Sequence, residues 1–348
     1  MSKKSDRPMV LALPSKGALY DHTLELLAAC GVPVQLGGNR REYKGRLRGV
    51  PQVEVIFLRA DEIPVRLEEG GADVGVTGED LFREYADGSK NAHILIRELG
   101  YGHARLVTAV PHAWLDVACI ADLEEVALVY RQQHGRSLRV ATKYPRLTRT
   151  FFAEHGIMDY VIVPSLGATE GAPASGAADV IVDITSTGVT LSQNHLKLIA
   201  GGTLLTSQAC LIVSVGDGWT KSTLAALRQI LEMMESYLRA RSTFTMRFHA
   251  NPSAICEIEG EITSVYNCEI LTSKTLWKYT KPLEHNEAEL PCEIVLYCPT
   301  DNLYPVVRYL RNAGCAEITA TRVDYIFRQS SSAFDRFCHL HRRSLSEF

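Results

Sequence analysis

The chain has 348 residues, of which 46% are apolar and 22% charged, and a formal net charge of −3. That length is too great for one ordinary hydrophobic core and predicts two or three domains of a globular protein. The near-neutral charge gives no electrostatic case for nucleic acid, so an anionic ligand must be caught by a local site.

The basic start MSKKSDRP is followed by MVLALP, which is too short for the apolar core of a signal peptide. No run of about 18 apolar residues follows anywhere, so the cytoplasm is the predicted location. Met9 to Leu13 reads as a strand and Pro14-Ser15-Lys16-Gly17 as a loop. Leu19 to Cys30 then reads as a helix, with Leu19, Leu24, Leu27 and Ala28 on one face and Gly31 as its stop. Val53 to Leu58 is a strand, and Asp61 to Glu69 a helix stopped by Gly70-Gly71. Ala72 to Val76 is a strand ending in Thr77-Gly78-Glu79-Asp80, with a helix starting over Leu81 to Tyr85. Leu106 to Val110 is a strand closed by Pro111. Leu138 to Ala141, the loop Thr142-Lys143-Tyr144-Pro145 and a helix over Arg146 to His155 repeat the pattern. Tyr160 to Pro164 is a strand, Glu170 to Gly176 loop and short helix, Ala178 to Asp183 a strand, and Leu191 to Leu198 a helix. Gln208 to Val215 is a further strand and Lys221 to Arg241 one long helix.

This alternation predicts an α/β fold with parallel-rich sheets. The loops SKG, TGED, TKYP and DITSTGVT each follow a strand, where open α/β sheets bind ligands. After Thr243 the character changes. Glu293 to Tyr297 is a strand, Asn302 to Ala313 a helix, and Glu317 to Phe327 contains another strand, which makes a small separate domain. Asn251 to Leu290 reads only as linker with mixed structure. From Gln329 the chain is serine-rich and then basic, a predicted frayed end. The nine cysteines are scattered without CxxC, and the eleven histidines show no HExxH. Reduced thiols and no metal held by the protein alone are therefore predicted.

The stretch VIVDITSTGVTL (Val180 to Leu191) carries the most chemistry. Backbone amides entering a helix bind anions, and Gly188 lets the backbone approach closely. Thr185, Ser186, Thr187 and Thr190 add hydroxyls, which together describe a monophosphate cradle. Asp183 stands just before it and could accept hydrogen bonds from a vicinal diol. Phosphate beside diol is a ribose 5-phosphate. The alternative at this stage is an ordinary strand-turn-helix, with Asp183 in a capping role.

VIVDITSTGVTL resembles the phosphoribosyl pyrophosphate loop of the ATP phosphoribosyltransferase family, which opens histidine biosynthesis. PSKG (Pro14 to Gly17), DVGVTGEDL (Asp73 to Leu81), ATKYPRLTRTFF (Ala141 to Phe152) and SLGATEGAPASGAADVIVD (Ser165 to Asp183) are similar to that family in the same order. The resemblance covers about residues 8–245 and is closest to forms with a C-terminal extension. It implies a two-lobed, periplasmic-binding-protein-like catalytic region over 1–245, with lobe 1 about 1–105 plus 205–245 and lobe 2 about 106–204. It also implies an ACT-like α+β domain over 246–330 that senses histidine, and a tail over 331–348.

The reaction it implies joins N1 of ATP to the anomeric carbon of phosphoribosyl pyrophosphate, with Mg²⁺ bound mainly through substrate phosphates. It implies that Asp183 holds the ribose hydroxyls and that Thr185, Ser186, Thr187, Gly188, Val189 and Thr190 hold the 5′-phosphate. Lys16, with Gly17, would reach phosphate oxygens, and Glu79 with Asp80 would orient substrate or a magnesium-bound water. Lys143, Arg146 and Glu170 complete the expected substrate site, beside Arg149. A dimer or hexamer is also implied. One position departs from the family: Ala18 stands where arginine is usual, and Arg40, Arg41, Arg59 and Arg105 are the candidates to supply that charge. The other readings are a non-catalytic or partner-dependent protein that binds phosphoribosyl pyrophosphate, or a transferase with a different acceptor.

Overall fold

The computed structural model describes residues 7–36, 44–165, 167–216, 218–275 and 292–346. Arg40 and Arg41 lie outside the described residues. The chain forms two compact units, Met1–Gln229 with Ser332–Phe348, and Ile230–Ser331.

In chain order the strands of the first unit are β1 (Met9–Pro14), β2 (Val34–Leu36), β3 (Lys44–Leu47), β4 (Val50–Leu58), β5 (Val74–Gly78), β6 (Ala92–Ile96), β7 (Ala104–Pro111), β8 (Leu138–Thr142), β9 (Tyr160–Pro164), β10 (Val180–Thr185), β11 (Leu196–Ser207) and β12 (Ala209–Ser214). Its helices are α1 (Gly17–Ala29), α2 (Glu62–Glu68), α3 (Glu79–Tyr85), α4 (Ile120–His134), α5 (Pro145–Glu154) and α6 (Val189–Gln193). A seven-stranded sheet runs β2-β3-β4-β1-β5-β12-β6, and a five-stranded sheet runs β11-β7-β10-β8-β9. Each sheet is the core of one lobe, and the chain crosses back to the first lobe from β11 into β12.

Parallel pairing holds where strand-helix-strand units follow one another, at β1 with β4 and β5 and at β8 with β9 and β10. The β7, β11 and β12 pairings are antiparallel. β5 is buried along its whole length, which is why Val74-Gly75-Val76 carries no charge. In the second lobe Leu106, Val140, Val180 and Val182 from the sheet pack with Leu123 of α4 and Phe152 of α5.

Two sequence expectations change here. The helix expected over Leu191 to Leu198 is only α6, and Leu196 already belongs to β11. The break is local: His195 takes φ +55 and its carbonyl accepts the His112 amide at 2.7 Å, while the Asn194 amide closes α6 on Thr190. The expected frayed end is instead α10 (Ser332–Ser346), introduced below with its packing.

Helix α7 (Lys221–Arg241) contains the division between the units. The second unit then runs β13 (Thr243–Ala250), α8 (Ile255–Ser264), β14 (Glu269–Thr275), β15 (Cys292–Pro299), α9 (Leu303–Asn312) and β16 (Ala316–Thr321). This β-α-β-β-α-β order with the sheet β14-β15-β13-β16, antiparallel throughout, is the ferredoxin-like pattern. Its buried residues alternate along β15 as Cys292, Ile294, Leu296 and Cys298, and the last three pack with Ile258 and Ile262 of α8 and Val306 and Leu310 of α9. α8 and β14 were not legible in Asn251 to Leu290.

α10 belongs to the first unit. Phe337 is fully buried and meets Trp219 edge-on at 4.8 Å, and Arg336 donates to the Leu95 carbonyl on edge strand β6 at 3.0 Å. The apolar positions 333, 334 and 337 recur at helical spacing, which gives the helix one apolar face.

Candidate active site

A cavity of about 620 Å³ opens where the carboxyl ends of β1, β4, β8 and β9 converge. From the first lobe Ser15, Lys16, Arg59, Asp61, Leu81 and Tyr85 line it. From the second lobe come Thr142, Lys143, Tyr144, Pro145, Arg149 and Ser165. Lys16, Arg59, Lys143 and Arg149 give it a cationic character that the whole chain lacks. Gly17, next to Lys16, has φ +76, so this loop conformation needs glycine. Arg59 is held by Asp61 through two hydrogen bonds, 3.1 Å from Nε and 2.7 Å from Nη2.

Asp183 lies two residues inside β10, and Val182 pairs with Thr142 across to β8, which sets Asp183 beside Lys143. Burial raises the Asp183 carboxyl above the ordinary aspartate range. The Ile184 amide, donating to Oδ1 at 2.8 Å, opposes this, as do the Lys143 charge and a hydrogen bond with Thr169, while Glu170 adds to the rise. Asp183, Lys143 and Glu170 are thus brought together. Thr169 was not singled out from sequence; it is fully buried and bonded to Ser165 at 2.9 Å.

The loop after Asp183 folds on its own hydroxyls. Gly188 takes φ +79. Its amide donates to Thr185 Oγ1 at 2.9 Å, and the Val189 amide donates to Thr187 Oγ1 at 3.4 Å. Ser186, Thr187 and Thr190 are exposed. Thr187, Gly188 and Val189 line a second cavity of about 480 Å³ with His112 and Lys197, not the one that Lys16 lines. Arg105 pairs in register with Thr185 and so stands at the same end of the sheet.

Two expected site residues have other partners. Glu79 is 5% exposed, and its Oε1 accepts from Arg83 at 2.8 Å and from Arg97 at 3.3 Å. It faces its own helix and β6 rather than the cavity. Arg146 turns its guanidinium to the Arg83 carbonyl and to the Asp87 carbonyl at 3.0 Å, so it joins α5 to α3.

The same junction is dense in buried polar groups. Asp80 accepts the Tyr144 hydroxyl at 2.7 Å and the Ser207 hydroxyl at 2.6 Å. Glu84 accepts the Arg146 and Leu147 amides at 2.8 and 2.9 Å, capping the start of α5 from the other lobe. Burial, and then the Asp80 charge, raises the Tyr144 phenol, so it stays a donor. Sequence reading did not single out Tyr144 and Tyr85 as lining residues, whereas Arg59, one of the four arginines named as candidates, does line the cavity. Arg59 carried a signal, since Arg59-Ala60-Asp61 follows a strand just as Ser15-Lys16-Gly17 does.

Comparison with known proteins agrees on one family. The family model for HisG, ATP phosphoribosyltransferase, matches residues 59–236. An ATP phosphoribosyltransferase of Caulobacter vibrioides is 40% identical over 330 residues, covering 95% of this chain and 97% of that protein. One from Bradyrhizobium diazoefficiens is 40% identical over 330 residues, covering 94% and 96%. One from Mesorhizobium japonicum is 53% identical over 228 residues, covering 65% of this chain and 97% of that protein.

Proposed function

Because this chain belongs to the ATP phosphoribosyltransferase family, we propose how its cavity and its sheet ends share out the reaction. The reaction transfers the 5-phosphoribosyl group from phosphoribosyl pyrophosphate to N1 of ATP, giving phosphoribosyl-ATP and pyrophosphate, the first step of histidine biosynthesis. The adenine nitrogen is already nucleophilic, so the work of the protein is to hold two anions in line and to stabilise positive charge at the anomeric carbon.

Asp183 accepts hydrogen bonds from the ribose hydroxyls and faces the charge that develops on the ring. The observation that carries this role is its place beside Lys143 at the end of β10, half-buried and near Thr169 and Glu170. Residues Thr185 to Thr190 hold the 5′-phosphate, exchanging the internal bonds of Thr185 and Thr187 for phosphate oxygens. Lys16, Lys143 and Arg149 take the pyrophosphate and the triphosphate, and Arg59 supplies a guanidinium in the cavity of a chain that carries Ala18. Glu79, committed to Arg83 and Arg97, takes no part in this reading.

Mg²⁺ fits as a cation carried by substrate phosphates, because such a cation needs only one or two protein carboxylates. Asp183 and Glu170, two carboxylates close enough to raise one of them, are the groups that would meet it. When bound it would neutralise the leaving pyrophosphate. Among the described residues no three His, Cys, Asp or Glu side chains gather into a metal-holding cluster.

The second unit is proposed as the histidine sensor, on the strength of its ferredoxin-like order. Calorimetric titration of the full chain with histidine tests this; no binding at millimolar histidine would remove it. A homo-oligomer, dimer or hexamer, is proposed from the family and is tested by sedimentation. No helix among the described residues is long and apolar enough to cross a membrane, and the two phosphorylated substrates support a cytoplasmic location. The reading as a whole is tested by Asp183→Asn, which should weaken phosphoribosyl pyrophosphate binding or turnover by about 1–3 kcal/mol; unchanged kinetics would refute the role of Asp183.

A further inference from the structure

Asp80, Glu84, Tyr144 and Ser207 are all more than nine-tenths buried, and their hydrogen bonds join α3 of the first lobe to the second lobe. Buried polar groups of this kind cost free energy unless paired, and an apolar contact of the same size would hold the lobes together as well. What the polar contact adds is direction. Ser207 both donates to Asp80 Oδ1 and accepts the Asp80 amide at 3.0 Å, which fixes that carboxylate at the crossover between the lobes. Tyr144 is fixed within the second lobe as well. Its amide donates to Thr142 Oγ1 at 2.9 Å, and its carbonyl accepts the Thr148 hydroxyl at 2.7 Å. Its hydroxyl alone reaches across to Asp80.

Lys143 precedes Tyr144 directly, and Arg149 lies about one turn into α5, whose first free amides are held by Glu84. A rotation of one lobe against the other would therefore move both cations away from Lys16 and Arg59. We propose that the Asp80–Tyr144–Ser207 bonds, with the Glu84 cap, form a brace that sets the Lys143–Arg149 segment at its working distance from the first lobe, making Tyr144 a positioning residue for phosphoribosyl transfer. This rests on the reading of the cavity given above. The brace bears on the meeting of two substrates and not on the hold of the second lobe on one of them. Asp183 and residues 185–190 all lie on that lobe.

The test uses the full-length protein and Tyr144→Phe, which keeps the ring and removes the hydroxyl. Turnover, affinity for phosphoribosyl pyrophosphate alone and thermal melting are measured together. The brace predicts that kcat falls on the order of ten- to hundredfold while phosphoribosyl pyrophosphate affinity falls by much less, because Asp183, Lys143 and Arg149 stay together on the second lobe and only Lys16 and Arg59, on the first, are displaced from them. Asp80→Asn, which leaves one acceptor oxygen for the Tyr144 and Ser207 hydroxyls, should give a loss of the same order, and the double variant less than the sum of the two, since they share the Tyr144 bond. Unchanged kcat in Tyr144→Phe overturns the brace. So does a fall in kcat matched by lost phosphoribosyl pyrophosphate affinity and a lowered melting temperature, which is plain structural damage. Absence of turnover in the unmodified protein refutes the reading of the cavity, and the brace with it, whereas normal turnover unaffected by either substitution refutes the brace alone.

Discussion

Lys143 and Asp183 stand side by side on the parallel strands β8 and β10, one just past its strand end and the other two residues short of it. The ammonium group opposes the rise that burial imposes on the carboxyl. In the proposed role Asp183 accepts two ribose hydroxyls as the carboxylate, so kcat/KM should fall on the acid side at a pH above the ordinary aspartate range. Removing the cation removes one of the influences that lower this pKa. In Lys143→Gln the acid limb of a pH profile of kcat/KM should move to higher pH, and a limb that stays or moves down would contradict the pairing.

Asp179 offers a stability prediction away from the chemistry. It lies just before β10, accepting Arg136 at 2.6 Å, Arg139 Nη2 at 3.0 Å, the Arg139 amide at 2.8 Å and the Tyr130 hydroxyl at 3.0 Å. Burial alone would push its carboxyl up, but these donors outweigh burial and hold it well below the usual range. A depressed pKa contributes stability above the unfolded value, about 3.9, and that contribution is lost as pH falls through the folded value. Asp179→Asn should cost about 3 kcal/mol near neutral pH. The gap in melting temperature between variant and parent should close as the pH drops below about 4. A gap that is constant with pH would show that ionisation of Asp179 carries none of it.

The division of the chain was partly legible. Lys221 to Arg241 reads as one helix because its apolar residues keep a helical period for 21 residues, and it is α7. The loops that follow the strands were legible because Pro, Gly, Ser and Thr follow short apolar strands. β11 was not. Its start, Leu196 to Leu198, reads as the end of a helix, and only pairing with β7, with register shifts around Leu198 and Thr203, makes the run a strand. Asp183 and Lys143 were both singled out from sequence, but that they are neighbours depends on the register of two strands about 40 residues apart. The pairing of Glu79 with Arg97 was equally illegible, since nothing local brings the two together.

α10 is the clearest case of a terminal segment that serves the catalytic unit. The Phe337 ring is fully buried against Trp219, and His341 stacks on it at 5.5 Å. Phe337→Ala should lower stability by about 3–5 kcal/mol. Removing residues 332–348 should lower the melting temperature of the first unit and change Trp219 fluorescence. A truncated protein with unaltered melting would show that this helix adds nothing.

The most direct measurement is the formation of phosphoribosyl-ATP from ATP, phosphoribosyl pyrophosphate and Mg²⁺ by the purified full chain, compared with Asp183→Asn. Turnover in the parent, falling by about 5- to 150-fold in the variant as a lost charged hydrogen bond requires, is the predicted result. A variant that turns over like the parent would contradict the central claim that Asp183, beside Lys143, holds the ribose during transfer.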